Sequence, residues 1–363
     1  MPHHYSPSRS FSFRWPASWP NGLPTLGRSD FRSGREALYA LAQHLKSTSL
    51  DQGKVLLPAW VPEGVQLPFS LAQWEIHYYN LDQNADPKWK EITQQLNNQH
   101  FDLVVLIHFF GQERNAKRMQ NLLPAGSSLL EDWAHSYPHP QFRPPINGHS
   151  VLFSPTKIIG TTDGAWLIGP TIIKPTQKVD RQHYLFLFWQ LLYLIGSTAL
   201  QLNLPGRQWC KKLTGGAYAR AYQYLLAGTN TPKALSKIGR WLIRHTPHNK
   251  VAEERMAQAA YYYEHLTQEK IRFLVKDNHL LHPLIGFPLW VDNPRHFSAY
   301  LQAHGIRGQT FTDRWWFIKE HNSSQYQSSK DLLEHHFLLP IQHRFTAQDL
   351  AYIVEVVNQY EGE

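Results

Sequence analysis

Five short apolar runs, at residues 55–57, 76–79, 103–107, 128–130 and 151–153, punctuate the first half of the chain, and the stretches between them can hold helices or turns. Runs of this length with strand composition, alternating with helical stretches, imply a largely parallel sheet covered on both faces. Such a sheet collects its ligands beyond the carboxyl ends of its strands, where loops and helix starts converge on one crevice. Function is therefore to be sought just after the runs.

The rest of the chain is arranged around that pattern. Residues 1–31 are rich in Pro, Ser, Trp and Arg without sustained periodicity and read as an irregular arm. Ser33 and Gly34 then precede a stretch in which Leu38, Leu41, Ala42 and Leu45 recur at helical spacing, giving a capped amphipathic helix. Residues 32–205 are assigned to one large α/β domain, and residues 206–363 to a helical connection followed by a smaller α/β unit. The latter part has helices over 235–245 and 251–266, a strand near 287–291, a helix over 294–304 ending at Gly305, and a last helix over 346–360. A chain of 363 residues, 42% of them hydrophobic and 18% charged, suffices for both units.

Lys and Arg outnumber Asp and Glu by 36 to 28, which favours an anionic ligand or surface: phosphorylated metabolite, nucleic acid or acidic lipid. The basic residues are spread out rather than gathered into a stripe with interleaved aromatics, which leaves nucleic acid with little support. Despite 21 His, no Cys or His cluster has metal-ligand spacing, and no metal is expected. Cys210 is the single cysteine, and MPHHYSPSRS at the N-terminus lacks the apolar stretch of a secretory signal, so a cytoplasmic location is expected. Residues 184–206 are 23 residues without a formal charge, close to the ~20 that span a bilayer. Because Gln190, Gln201, Asn203 and Pro205 interrupt them, the preferred reading is an apolar helical insertion over 184–205 in the core or at a subunit interface, ahead of peripheral membrane contact.

Three segments fall at the expected loop positions: Phe31-Arg-Ser-Gly-Arg-Glu-Ala-Leu38, Leu130-Glu-Asp-Trp-Ala-His-Ser136 and Phe153-Ser-Pro-Thr-Lys-Ile-Ile-Gly160. Singly, each has an ordinary explanation as a helix cap, a cap after a strand, or one lysine among many. Together, in this order, they resemble the fold-type-I pyridoxal-phosphate-dependent aminotransferases of the DegT/StrS group, best known for acting on nucleotide-linked keto sugars. The group's small-Gly-x-x-Ala-Leu phosphate turn is similar to Ser33-Gly34-Arg35-Glu36-Ala37-Leu38, and its His-aromatic-aromatic-Gly strand end to His108-Phe109-Phe110-Gly111. Its Glu-Asp-x-Ala-His/Gln motif is similar to Glu131-Asp132-Trp133-Ala134-His135, its Pro-Thr-Lys motif to Pro155-Thr156-Lys157, and its C-terminal Leu-Pro-x-His stretch to Leu339-Pro340-Ile341-Gln342-His343. The resemblance covers residues 31–170 well and 232–360 more loosely; the arm and the apolar insertion stay outside it.

What the resemblance implies is concrete. The fold is a fold-type-I transferase large domain with a mostly parallel central sheet plus a smaller C-terminal α/β domain, and the cofactor is pyridoxal 5'-phosphate. Lys157 carries the cofactor as a Schiff base and moves the proton between substrate carbon and cofactor, while Asp132 keeps the ring nitrogen protonated so that the ring can act as an electron sink. His135 lies near the phenolic oxygen or the ring. Ser33, Gly34 and Arg35 offer the phosphate the start of a helix, and Trp60 offers the ring an aromatic face. Leu152 stands where the group has a phosphate-binding serine, so Ser154 or Ser150 substitutes for it. Asn230 matches an asparagine supplied by the neighbouring subunit, and a homodimer is expected. Of the group's glycine-rich sequence after the lysine, Thr161-Thr162-Asp163-Gly164-Ala165 keeps one glycine, and its N-terminal sugar-nucleotide segment is not recognisable in residues 1–30.

The implied activity moves an amino group from a donor such as glutamate to a keto group of an anionic, nucleotide-linked sugar, as in polysaccharide biosynthesis. Dehydration of a keto sugar with the same cofactor is a second reading; the retained Lys157 favours amino transfer, because members that lost the lysine place histidine there. A non-catalytic or membrane-peripheral protein attached through residues 184–206 is the third.

Overall fold

The computed structural model describes residues 19, 27–47, 52–139, 149–176, 179–201, 207–275, 282–311 and 324–362. Seven strands form the larger sheet in the order β1-β7-β6-β5-β4-β2-β3. The apolar runs become β2 (Lys54–Pro58), β3 (Glu75–Tyr79), β4 (Leu103–Ile107), β5 (Ser128–Asp132) and β6 (Ser150–Phe153), which pair in parallel. Every residue of β4 is buried, as a central strand with both faces covered requires. Helices α1 (Gly34–Lys46), α2 (Glu63–Leu71), α3 (Trp89–Asn98) and α4 (Ala116–Leu122) contribute Leu38, Phe69, Ile92 and Met119 to the same apolar core as these strands.

Two strands escape the periodicity of the sequence. β7 (Ala165–Ile168) runs antiparallel to β6, and β1 (Arg28–Phe31) runs antiparallel to β7 at the sheet edge. β1 corrects the end of the supposed irregular arm. Ser29 and Phe31 turn inward from it, and with one apolar side chain in four residues the strand has no readable alternation. The remainder of the arm, apart from Trp19 and Gly27, lies outside the described residues.

The apolar insertion is one half of a helical hairpin, α5 (Arg181–Gln201) and α6 (Arg207–Ala227). Trp189 meets Arg220 with 4.5 Å from guanidinium to ring, Tyr193 meets Tyr218 at 5.5 Å between ring centroids, and Gly196 lies against Thr214. Partners retreat along α6 as the chain advances along α5, so the helices are antiparallel. One third of the most apolar window of α5 is buried, Phe186 and Leu194 among it, and Tyr184, Phe188 and Ile195 are exposed in this chain.

Beyond the hairpin, α7 (Lys237–Arg244) packs Ile243 with Leu235 against Trp133, Phe153 and Trp166 on the second face of the large sheet. A smaller antiparallel sheet, β8 (Ile271–Phe273), β9 (Phe287–Val291) and β10 (His336–Leu339), has β9 in the middle. Helices α8 (His248–His265), α9 (Pro294–Ala303) and α11 (Ala347–Asn358) cover it with Tyr262, Phe297, Leu301, Ile353 and Val357. A further helix, α10 (Gln327–His335), leads into β10. A reciprocal capping box of Thr346 and Asp349 starts α11.

Two buried carboxylates fasten these parts together. Glu36, on the first turn of α1, takes Arg32 Nε at 2.9 Å, the Ser33 hydroxyl at 2.8 Å and the Lys233 amide at 3.2 Å. Burial raises its pKa, and the Arg32 guanidinium opposes that rise. Asp163 takes the Ser236 amide at 2.8 Å and hydroxyl at 2.7 Å, which holds the loop after Lys157 to the N-cap of α7. Gly164, at φ +138°, donates its amide to Arg32 O at 2.8 Å, a backbone conformation that other residues rarely adopt. The fold thus makes a specific demand on Glu36. Replacing it, Glu36→Ala, leaves the buried Arg32 without its counter-charge and should lower the unfolding free energy by about 3–5 kcal/mol in urea denaturation. A loss below about 1 kcal/mol, the range of an exposed pair, would mean that this carboxylate does not hold the guanidinium.

Candidate active site

Parallel pairing of β5 with β6 sets Asp132 opposite Leu152, so the two strands end side by side. Asp132 is the last residue of β5, and Lys157 closes a 3-10 turn, Pro155–Lys157, directly beyond β6. That turn is shaped by Pro155 at its start and by the Lys157 amide bonded to Ser154 O at 3.0 Å. Asp132 is buried while Lys157 is exposed, yet the Lys157 ammonium acts electrostatically on Asp132 and on His135. Burial pushes the Asp132 carboxyl above the usual carboxylate range, and the Lys157 cation and the Ala134 amide pull it back. Its Oδ1 accepts that amide at 2.8 Å; among the described residues no donor reaches Oδ2.

His135 follows in the same loop and is buried. Its Nδ1 accepts the Phe110 amide at 3.2 Å, and burial, reinforced by the nearby Lys157 charge, holds its pKa well below the ordinary histidine value. The ring is therefore neutral with its proton on Nε2, which has no hydrogen-bond partner among the described residues. Phe311 stacks on it with centroids 5.2 Å apart.

A second buried histidine braces the loop from behind, and sequence reasoning did not assign it a role. His108, just past β4, stacks on Trp133 at 3.7 Å with the planes 16° apart; its Nδ1 accepts the Arg114 amide at 2.9 Å and its Nε2 reaches Glu131 at 3.1 Å. Burial pushes the Glu131 carboxyl up, but its hydrogen bond to His108 and the nearby His149 and Trp133 outweigh it and bring it down to about 2. Both members of this pair stand in motifs legible in the sequence. What could not be read was that they face each other rather than a ligand.

The phosphate candidates divide. Ser33 caps α1 but spends its hydroxyl on Glu36. Gly34 lies over Leu152, whose side chain is buried beneath it, so the leucine in the serine's place belongs to the core. The Arg35 guanidinium turns away to the Tyr222 hydroxyl of α6 at 2.6 Å. The first-turn amides of Gly34 and Arg35, which have no acceptor within the helix, remain as donors. Ser154 stands at the carboxyl end of β6, with its hydroxyl 3.2 Å from that of Thr156. Ser150 begins the same strand and so lies at the wrong end of it.

Two assignments fare differently. Trp60 is 0% exposed, stacked on Phe109 at 4.9 Å and walled in by Phe110, Phe311 and His336. Its ring belongs to the core and presents no face to the crevice, a correction to its expected stacking role. Asn230 is exposed in the turn after α6.

The C-terminal unit closes over the same region. Gly111, at φ +96°, brings its backbone so near His135 O and Pro283 O that a Cβ would sit 2.7 and 3.0 Å from them. Phe110 before it has φ +63°, strain held by its bonds to His135 and to the Ile285 amide. His336, from β10, accepts the Phe311 amide at 2.7 Å and so fixes the ring that covers His135.

No protein-family model and no curated protein matches the sequence. Solved structures do match in three dimensions. The sugar aminotransferase CalS13 of Micromonospora echinospora superimposes with a TM-score of 0.63 at 13% identity, over 91% of this chain and 86% of that one. PseC of Helicobacter pylori, an aminotransferase of pseudoaminic acid biosynthesis, gives 0.61 at 13% over 91% and 85%. A DegT DnrJ EryC1 StrS aminotransferase from Brucella abortus gives 0.59 at 13% over 93% and 86%. The mostly parallel seven-stranded sheet and smaller C-terminal α/β unit of this chain are the fold of the sugar aminotransferases.

Proposed function

We propose that the chain is a pyridoxal-phosphate-dependent aminotransferase that moves an amino group from an amino acid, glutamate by preference, to a keto group of a nucleotide-linked sugar. The observation that carries this reading is the pair at the strand ends: the exposed Lys157, electrostatically coupled to a buried Asp132 whose Oδ2 takes no hydrogen bond among the described residues. When bound, pyridoxal phosphate supplies an aldehyde that condenses with a primary amine and a ring that takes up the electron pair released at a substrate carbon. The donor set fits that group.

Asp132 would hold the protonated ring nitrogen through its carboxylate, whose pKa is raised by burial and pulled back by the Lys157 cation and the Ala134 amide. Lys157 would anchor the cofactor, and its Nζ would take and return the proton at the substrate carbon. The neutral His135 presents Nε2–H to the ring or its phenolic oxygen. The first-turn amides of Gly34 and Arg35, the dipole of α1, and the hydroxyl of Ser154 bind the phosphate. Asn230 is exposed, as a residue that completes the site of a neighbouring subunit has to be, and the proposed working unit is a homodimer.

Reconstitution tests the pair. Purified protein given pyridoxal phosphate should absorb visible light, and borohydride should fix the cofactor to the peptide containing Lys157; colour and labelling that survive Lys157→Ala would sink the proposal. Asp132→Asn should retain the cofactor yet lose about 10²–10³-fold in kcat, the size of effect expected when one preorganised charge at the reacting centre is removed. An unchanged kcat would remove Asp132 from the chemistry.

A pH profile tests the electrostatics. His108, His135 and His336 all have folded pKa values depressed first of all by burial, His336 to about 4. The unfolded chain protonates them near pH ~6.5 while the native state does not, so the stability they confer is complete above that pH and is lost as pH falls toward the folded values. Each should contribute a slope of about 1.4 kcal/mol per pH unit over its window, and urea titrations at successive pH values from 7 to 5 should show unfolding free energy falling. A flat profile would mean that these rings are protonated in the native state.

A further inference from the structure

The excess positive charge of this chain is not evenly distributed. Residues 181–252 contain ten Lys and Arg and no Asp or Glu, whereas the remaining residues hold 26 Lys and Arg against 28 acids. Residues 181–252 therefore account for the whole net charge of +8, with five of the ten cations on the α5–α6 hairpin and the others on the turn after it, α7 and the start of α8. The total alone, and a search for a basic stripe laced with aromatics, both miss this.

The hairpin joins half of that charge to an apolar ridge. Tyr184, Phe188 and Ile195 of α5 are 64%, 52% and 48% exposed, and with the half-buried Leu191 they follow one another at intervals of four, three and four residues, on one face of the helix. Trp209, at the start of α6, is 66% exposed. Lys211, Lys212 and Arg220 of α6 are exposed on the neighbouring helix. Exposed rings of this size beside a helix of which one third of the most apolar window is buried call for a covering surface.

We propose that the α5–α6 hairpin docks on an anionic lipid bilayer, with the α5 ridge at the boundary of headgroups and acyl chains and the lysines and arginines against the headgroups. The charge decides the occupant. A two-fold contact between copies of this face would set the same patch against itself, cation against cation, with no carboxylate in the segment to relieve it. Nucleic acid would satisfy the cations but leave the ridge in water. Lipid satisfies both, and Trp and Tyr are the residues that settle at headgroup level. The hairpin lies on the bilayer rather than crossing it, because α6 carries Lys211, Lys212 and Arg220 while remaining paired along α5. At its base, Asp180 accepts the His183 amide at 2.8 Å and meets Lys233 Nζ at 3.4 Å, which ties the start of α5 to the turn that leads into α7.

Sedimentation of the full chain with vesicles tests the proposal without reference to cofactor chemistry. The protein should pellet with vesicles of phosphatidylcholine and phosphatidylglycerol, much less with phosphatidylcholine alone, and be released by raised salt. Phe188→Ser combined with Ile195→Ser and Trp209→Ser, and separately Lys211→Gln combined with Lys212→Gln and Arg220→Gln, should each lower the bound fraction about tenfold. Far-UV circular dichroism identifies any variant that fails to fold, and the exposed lysine and arginine changes keep the test decisive if the apolar set does. Three results would overturn the proposal: no binding of the parent chain to anionic vesicles, binding that neither set of changes reduces, or binding to duplex DNA in place of vesicles. Light scattering that shows the apolar changes halving the mass in solution, with vesicle binding absent, would assign the ridge to a second copy instead.

Discussion

A buried carboxylate facing an exposed amine across two neighbouring strand ends is the constraint on which the site rests. Burial of Asp132 raises the cost of its charge, and Lys157, the Ala134 amide and His108 offset it in part. Such a group is poorly explained as a structural device, because its second oxygen takes no hydrogen bond among the described residues. The parallel register of β5 and β6 maintains the geometry. A shift of one residue between them would turn Asp132 to the other face of the sheet and away from the Lys157 side.

Much of the surrounding structure keeps that geometry in place. Stacking of His108 on Trp133 and its bond to Glu131 brace the loop that carries His135, and the Phe110 amide selects the tautomer of that histidine. On the other side, Asp163 and the Gly164 amide hold the segment after Lys157 to α7 and to the backbone of Arg32. Close approach of Gly111 to the backbones of His135 and Pro283 brings the C-terminal unit onto the crevice. The two units are therefore joined at the place where chemistry is proposed.

The sequence made the centre of this arrangement legible and its margins opaque, for physical reasons. Strands β2, β4, β5 and β6 are apolar because their side chains are covered, and the position of Asp132 and Lys157 at the ends of two of them follows from where parallel sheets gather ligands. β1 was hidden because Phe31 is its one apolar residue and its hydrogen bonds to β7 are non-local. Trp60 looked available because a tryptophan beyond a strand is chemically suited to stacking, but burial is a property of packing that spacing does not encode. Leu152 and Arg35 show the same limit: the motif locates the backbone, and neighbours such as Gly34 and Tyr222 decide where the side chain goes. For the hairpin the missed signal was in the sequence all along, as a run without acids rather than as a total charge.

The central claim is that the side chains of positions 132 and 157 serve opposite ends of one bound ring. A crystal structure of the protein grown with pyridoxal phosphate measures this most directly. The account predicts continuous density from Lys157 Nζ into the cofactor, with the ring nitrogen within hydrogen-bond distance of Asp132 Oδ2. Density for the cofactor away from either side chain, or a crevice that stays closed to it at saturating concentration, would contradict the account.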